Sequence, residues 1–239
     1  MATLIRQFPG AQFNGSLILD LEPTISFPAS TLGAYRLRNS AAYSAYPRAG
    51  SWPAAAVVDT GADPTFTPYS VQTNAGKTIG VTGQNMPSGN VTVLTVSRQR
   101  SIPGAGALQW LGGAAVNSTQ AYGVVRSKDS LNAAVMVNGA TYAQMTPNGG
   151  DRWEAIFATF NVSASQASLY RPRTDTTTTA AIPTPTIPAG AIRLLGNTLH
   201  TAPAEGALVA FFNGTLTKAE LDAIYASAKA SLAVSGIEI

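Results

Sequence analysis

The stretch 206–233, GALVAFFNGTLTKAELDAIYASAKASLA, constrains the fold more than any other part of the chain. An apolar strand over 207–212 runs through an Asn213-Gly214 turn into a helix with start signals at two levels. Thr217 and Glu220 form a T-x-x-E capping box: the Thr217 hydroxyl accepts the Glu220 N–H, and the Glu220 carboxylate accepts the Thr217 N–H. Leu216 and Leu221 stand at the N′ and N4 positions of a hydrophobic staple. Leu221, Ile224, Tyr225, Ala228 and Leu232 follow at helical spacing, so one face is apolar and must lie on a larger surface. Residues 217–233 are therefore expected to form a terminal helix on a sheet, with Leu221, Ile224, Tyr225 and Leu232 sealing the core.

Upstream the pattern is β. The run 90–100, NVTVLTVSRQR, alternates, with Val91, Val93 and Thr95 on one face and Thr92, Leu94 and Val96 on the other. Both faces carry apolar residues, which predicts a central strand buried on two sides. Further strands are expected over 107–111, 121–126 and 132–137, the last entering a hairpin with 141–145 through the Asn138-Gly139 turn. Strands over 153–161, 167–171 and 192–195 follow. The Thr- and Pro-rich segment 174–188 reads as an extended or polyproline-like loop. In the first third, apolar runs at 17–21, 31–37, 55–59 and 78–81 alternate with Pro and Gly turns. Strands at near-regular spacing with one short helix predict an all-β, antiparallel two-sheet sandwich or jelly roll.

Composition excludes several classes. Only 11% of the residues are charged and the formal net charge is +3. The basic residues are scattered along the chain, with Arg98/Arg100 and Arg171/Arg173 the close pairs, which argues against a nucleic-acid partner. Cysteine is absent, which removes disulfides and thiolate metal sites. The first residues lack a secretory leader's pattern, and no stretch is apolar for the roughly 20 residues of a membrane helix. A role in a virion, or outside the cell after lysis, is the expectation that agrees with this.

In this order the segments of 73–233 resemble the laminin-G-like and pentraxin-like branch of the concanavalin A-like lectin/glucanase sandwich. NVTVLTVSRQR resembles its first long core strand, and DRWEAIFATFNVSASQASLY its central hairpin. AIRLLGN resembles the strand with a Gly-Asn end, and ALVAFFNGTLTKAELDAIYA the terminal strand, turn and helix. The family's Leu-Tyr-x-Asn-Gly hairpin is replaced here by Tyr170-Arg171-Pro172-Arg173. The resemblance implies one lectin-like domain over 1–239, with 1–72 supplying N-terminal strands and loops. In style, the sparse charge and capped helix are similar to lectin-like domains of phage tail and other virion proteins.

The resemblance implies a non-catalytic carbohydrate-binding or adhesion module with a glycan or protein receptor. The alternatives are a structural virion or assembly protein, making homo-oligomer or virion contacts, and a glycoside hydrolase. Tyr43, Tyr46, Arg48 and Trp52 are the expected ligand-binding cluster, since a sugar needs an aromatic platform flanked by hydrogen-bonding groups. They serve equally well to pack the N-terminal segment. Trp110, Tyr122 and Tyr142 stand in reserve, while Trp153 and Tyr170 fall at positions that are core in the family. Calcium, held by many relatives at the sandwich rim, is implied at Asp59 and Asp63 by resemblance only; otherwise these are turn formers. Asp20 and Glu22 in LILDLE share a strand face as glucanase carboxylates do, but the nucleophile position is Ile18, so they read as solvated carboxylates and no catalytic residue is assigned. His200, the single histidine, reads as an exposed loop residue. The sequons at Asn90, Asn117, Asn161 and Asn213 read as incidental.

Overall fold

The computed structural model describes residues 24–239, except positions 60, 75, 76, 118, 188 and 190 and the side chain of residue 191. The LILDLE carboxylates lie outside the described residues. The strands are β1 (Thr31–Arg36), β2 (Pro47–Gly50), β3 (Ala56–Val58), β4 (Thr65–Phe66), β5 (Val71–Gln72), β6 (Thr78–Thr82), β7 (Val91–Gln99) and β8 (Leu108–Asn117). They continue as β9 (Gln120–Ser127), β10 (Ala133–Val137), β11 (Ala140–Met145), β12 (Arg152–Asn161), β13 (Gln166–Arg171), β14 (Thr176–Ala181), β15 (Ala191–Leu195) and β16 (Glu205–Asn213). Helix α1 (Ala41–Ala45) joins β1 to β2, and α2 (Lys218–Ala233) follows β16.

Two antiparallel sheets form a sandwich. The first runs β14-β13-β12-β7-β16-β1-β2, with β5 attached to β16 and β4 to β5; the second runs β11-β10-β9-β8-β15-β6-β3. Strand β7 is central, between β12 and β16, and its alternation separates two cores. Val91 and Val93 face the second sheet with Tyr122, Val124, Ile156, Phe160, Val209 and Phe211. Leu94 and Val96 face outward with Phe157, Leu208 and Phe212, where Leu221, Ile224, Ala228 and Leu232 of α2 cover them. The helix therefore seals a second core on the outside of the first sheet, not the space between the sheets. Each of its buried Leu and Ile side chains contributes about 1.5–3 kcal/mol. Tyr225 is only half-buried, at the edge of this patch, with its hydroxyl donating to the Ile239 carbonyl at 2.9 Å.

The capping box forms: Glu220 Oε2 accepts the Thr217 N–H at 2.7 Å, and Thr217 Oγ1 accepts the Glu220 N–H at 3.3 Å. At the other end the Ile237 N–H reaches Leu232 O and the Gly236 N–H reaches Ala233 O, a Schellman closure with Gly236 left-handed at φ 71°. The chain then runs Ile237 in, Glu238 out, Ile239 in. At the helix start, Tyr170 of β13 donates to Asp222 at 2.5 Å, and Lys218 pairs with Asp175 at 2.9 Å and Asp222 at 2.7 Å. Burial and the bond to Asp222 push the Tyr170 phenol up to about 12.

The Thr-rich segment departs from its expectation as a loop. Residues 176–181 form β14, paired in unbroken register with β13 from Arg171↔Thr176 to Gln166↔Ala181. Two similar 3-10 turns drive this meander, each closed by a left-handed residue: Ser165 at φ 49° after Val162–Ala164, and Asp175 at φ 50° after Pro172–Thr174. Thr is β-branched and suits an edge strand, and the prolines begin only at 183.

Candidate functional site

The end of the sandwich where β7 finishes gathers arginines that are far apart in sequence. In the β7–β12 register Trp153 stands opposite Arg98 and Glu154 opposite Ser97. Successive residues of β12 point to opposite faces, so Glu154 enters the interior and Trp153 the outer face. Glu154 is buried between Arg126 of β9, at 2.9 Å, and Arg171 of β13, at 2.5 Å. Arg126 also donates to the Arg98 carbonyl at 3.0 Å, and Arg171 to the Thr146 carbonyl at 2.8 Å. Burial pulls the Arg126 pKa down, while the Glu154 carboxylate beside it opposes that shift. Glu205 at the start of β16 accepts from Ser70 at 2.7 Å and pairs with Arg100 at 2.6 Å. The basic residues that look scattered in the sequence are thus collected by the fold, interleaved with carboxylates. This network ties both sheets together beneath an open groove.

The groove, of about 440 Å³, is lined by Arg98, Asp151, Arg152, Trp153, Arg173, Gly236 and Glu238. Its wall on one side is the tail that the Gly236 turn sends across the sheet: buried Ile237 and Ile239 pin it and leave Glu238 exposed. Trp153 packs partly on the outer core and stays half-buried at the groove. Arg98 holds both Asp151 oxygens, at 2.7 and 3.2 Å. The Arg152 guanidinium lies over Gly149, where a Cβ would come within 3.1 Å of Nη2. That Nη2 is buried and has no hydrogen-bond partner. Arg173 is exposed and forms no ion pair or hydrogen bond among the described residues. The arrangement presents an aromatic face, the exposed Arg173 guanidinium and a solvated carboxylate to one volume, with Arg152 at its edge.

The aromatic cluster expected at 43–52 is divided. The Tyr43 ring lies 4.2 Å from the Arg48 and 4.7 Å from the Arg38 guanidinium carbon, so Tyr43 and Arg48 meet, and Tyr46 beside them is 65% exposed. Trp52 is a correction: it is 6% exposed and sits 4.9 Å from Phe211 in the inter-sheet core. The Trp52 backbone N–H donates to Leu32 O, and Gly33 leaves room for the side chain, since a Cβ there would lie 3.0 Å from Trp52 Cβ. Of the reserve aromatics, Trp110 and Tyr122 are fully buried and Tyr142 is half-buried. His200 is also corrected: it stacks on Trp110 at 5.5 Å and 4°, and burial lowers its pKa.

Asp59 and Asp63 do not fit calcium ligation. Arg193 takes both Asp59 oxygens at 2.7 and 2.8 Å, Thr78 donates to one of them at 2.8 Å, and Lys77 meets Asp63 at 2.5 Å. Asp59 also adopts a left-handed φ of 69°, the turn-forming role. The described residues contain no group of three or more His, Asp or Glu side chains placed to hold a metal.

No protein-family model matches the sequence, and no curated protein matches it. Solved structures do match in shape. A mutant Trypanosoma rangeli sialidase displaying trans-sialidase activity has a TM-score of 0.58 at 13% identity, over 84% of this chain and 33% of that one. Trypanosoma rangeli sialidase in complex with sialic acid gives 0.57 at 14% identity, over 84% and 33%. The binding domain of botulinum neurotoxin DC, in complex with SialylT, gives 0.58 at 11% identity, over 83% and 52%. The chain therefore spans a third of the sialidases' length and half of the neurotoxin domain's. At such identities the likeness establishes a shared all-β sandwich fold.

Proposed function

We propose that the chain is a non-catalytic carbohydrate-binding or adhesion module, one lectin-like unit of the concanavalin A-like kind, whose glycan contacts lie in the Trp153 groove. The observation that carries this is a half-exposed indole at a strand end, flanked by Arg152, Arg173 and Glu238. Sites of this kind pair an apolar face with a few placed polar groups. Two neighbours in shape are complexes with sialic acid and SialylT, which agrees with this reading for the class of fold. The reading of binding without turnover is supported by Asp151, whose two oxygens both accept from Arg98, which leaves no free carboxylate pair in the groove.

A glycan array on the full chain, followed by titration of any hit, tests the reading. Trp153→Ala is expected to lower affinity by more than about tenfold, as loss of a buried aromatic contact does. Tyr46→Ala is expected to leave it unchanged. Loss with Tyr46→Ala and not with Trp153→Ala would return the site to the 43–48 cluster.

A second reading, a structural subunit of a virion or other assembly, is favoured by the β14 edge. Residues 176–181, TTTTAA, form an outer strand with no charge and no proline, which leaves the edge without the usual protection against pairing. A defined dimer in light scattering that Thr178→Lys dissolves, together with an empty glycan array, would favour this reading.

A further inference from the structure

We infer that the groove takes an acidic sugar, a saccharide unit bearing a carboxylate or sulfate, and that Arg173 receives the anion, with the Arg152 charge beside it. This rests on the glycan-binding reading above and adds the chemical class of the ligand. Three arginines and two carboxylates line the groove, but they are not equivalent. Arg98 and Asp151 neutralise each other in a two-point pair at 2.7 and 3.2 Å. Arg152 and Arg173 form no ion pair among the described residues; Arg152 Nη2 is closed off against Gly149, and Arg173 is exposed. The planar guanidinium fork of an exposed arginine such as Arg173 matches carboxylate or sulfate oxygens in two-point contact.

The remaining surfaces select a sugar among anions. The half-exposed Trp153 indole offers an apolar plane for the C–H face of a pyranose. Glu238, projected outward between buried Ile237 and Ile239, accepts hydroxyl protons. A bare phosphate uses neither of these. A single-stranded nucleic acid needs a long positive track with successive aromatic faces, whereas this groove has one indole and carboxylates among its lining groups. Gly149 keeps Arg152 in place, because a side chain there would push against its guanidinium at 3.1 Å.

The test is calorimetric titration of the full chain with lactose, sialyllactose, sulfated lactose and a single-stranded DNA. At least one acidic sugar is expected to bind about tenfold more tightly than lactose, the scale of one charged hydrogen-bonding contact. Arg173→Gln is expected to remove most of that preference, and Arg152→Gln a smaller part of it, with lactose affinity unchanged. Lys77→Gln, the same charge change beside β6 of the other sheet, is expected to leave it intact. Arg173 is exposed, so Arg173→Gln remains a fair test if Arg152→Gln lowers the melting temperature. Sialyllactose against sulfated lactose separates carboxylate from sulfate. Equal affinity for lactose and both acidic forms overturns this inference and leaves the glycan reading standing, as does a preference that survives both substitutions. DNA bound as tightly as the best sugar also overturns it, in favour of general polyanion binding. No binding to any glycan removes the reading beneath it.

Discussion

The two ends of the sandwich are both polar, yet they are built on opposite plans. Where β7 finishes, Arg98, Arg100, Arg126, Arg152, Arg171 and Arg173 meet Asp151, Glu154, Glu205 and Glu238, and two of the guanidiniums are left over. Where β7 begins, the bonds around the strand end join neutral groups: Asn90 accepts from the Ser163 N–H at 3.2 Å, Asn161 from the Ala164 N–H at 3.2 Å, and Thr92 donates to Gly214 O at 3.0 Å. The amides and hydroxyls of that end bond to one another and to turn backbone, which explains why sequon-like triplets recur there. Asn followed by Ser or Thr is what a strand-end turn uses. Polar composition therefore does not mark a site in this molecule; unspent bonding capacity does.

The largest test of the contrast is Glu154→Ala. It strands two buried arginines, and a loss of about 3–5 kcal/mol is expected from urea denaturation. Ser163→Ala at the opposite end removes the hydroxyl's bond to Asn161 Oδ1 at 2.9 Å and should cost about 1 kcal/mol, the scale of neutral hydrogen bonds. Equal losses would erase the distinction between the ends. Gly236→Ala places a side chain at φ 71° and should cost about 1–2 kcal/mol. Because the turn sets Glu238 against the groove, it should weaken ligand binding as well; binding unchanged would free the tail from the site.

The smallest effect concerns pH. Lys218 and Tyr170 hold the Asp222 and Asp175 carboxyls below their ordinary pKa in the folded protein. A depressed folded pKa contributes stability above the unfolded value, about 3.9, which is lost as pH falls through the lower folded value. Melting temperature should therefore fall less steeply below about pH 4 in Asp222→Asn than in the parent. Parallel curves would place acid sensitivity elsewhere, with the arginine end the first alternative.

Much of the fold was legible. The β7 alternation gave both of its buried faces, Asn138-Gly139 gave the β10–β11 hairpin, and Thr217 with Glu220 gave the start of α2. These signals are local, confined to a few residues and a period of two or 3.6. The Thr-rich β14 was missed because its strand state depends on β13 as a partner and on a turn closed by left-handed Asp175.

The candidate site was not legible in the same way. Tryptophans 52 and 153 look alike in sequence, each in a polar, turn-rich setting, yet the fold buries Trp52 between the sheets and leaves Trp153 half-buried at the edge of the outer core. Parity along a strand says which residues share a face, and the sequence by itself determined that Trp153 and Glu154 must part. Only the tertiary structure decided that Glu154's face meets a second sheet carrying Arg126, while Trp153's face meets a helix too short to cover it. Strand order and register across distant segments set those neighbours, and no local period encodes them.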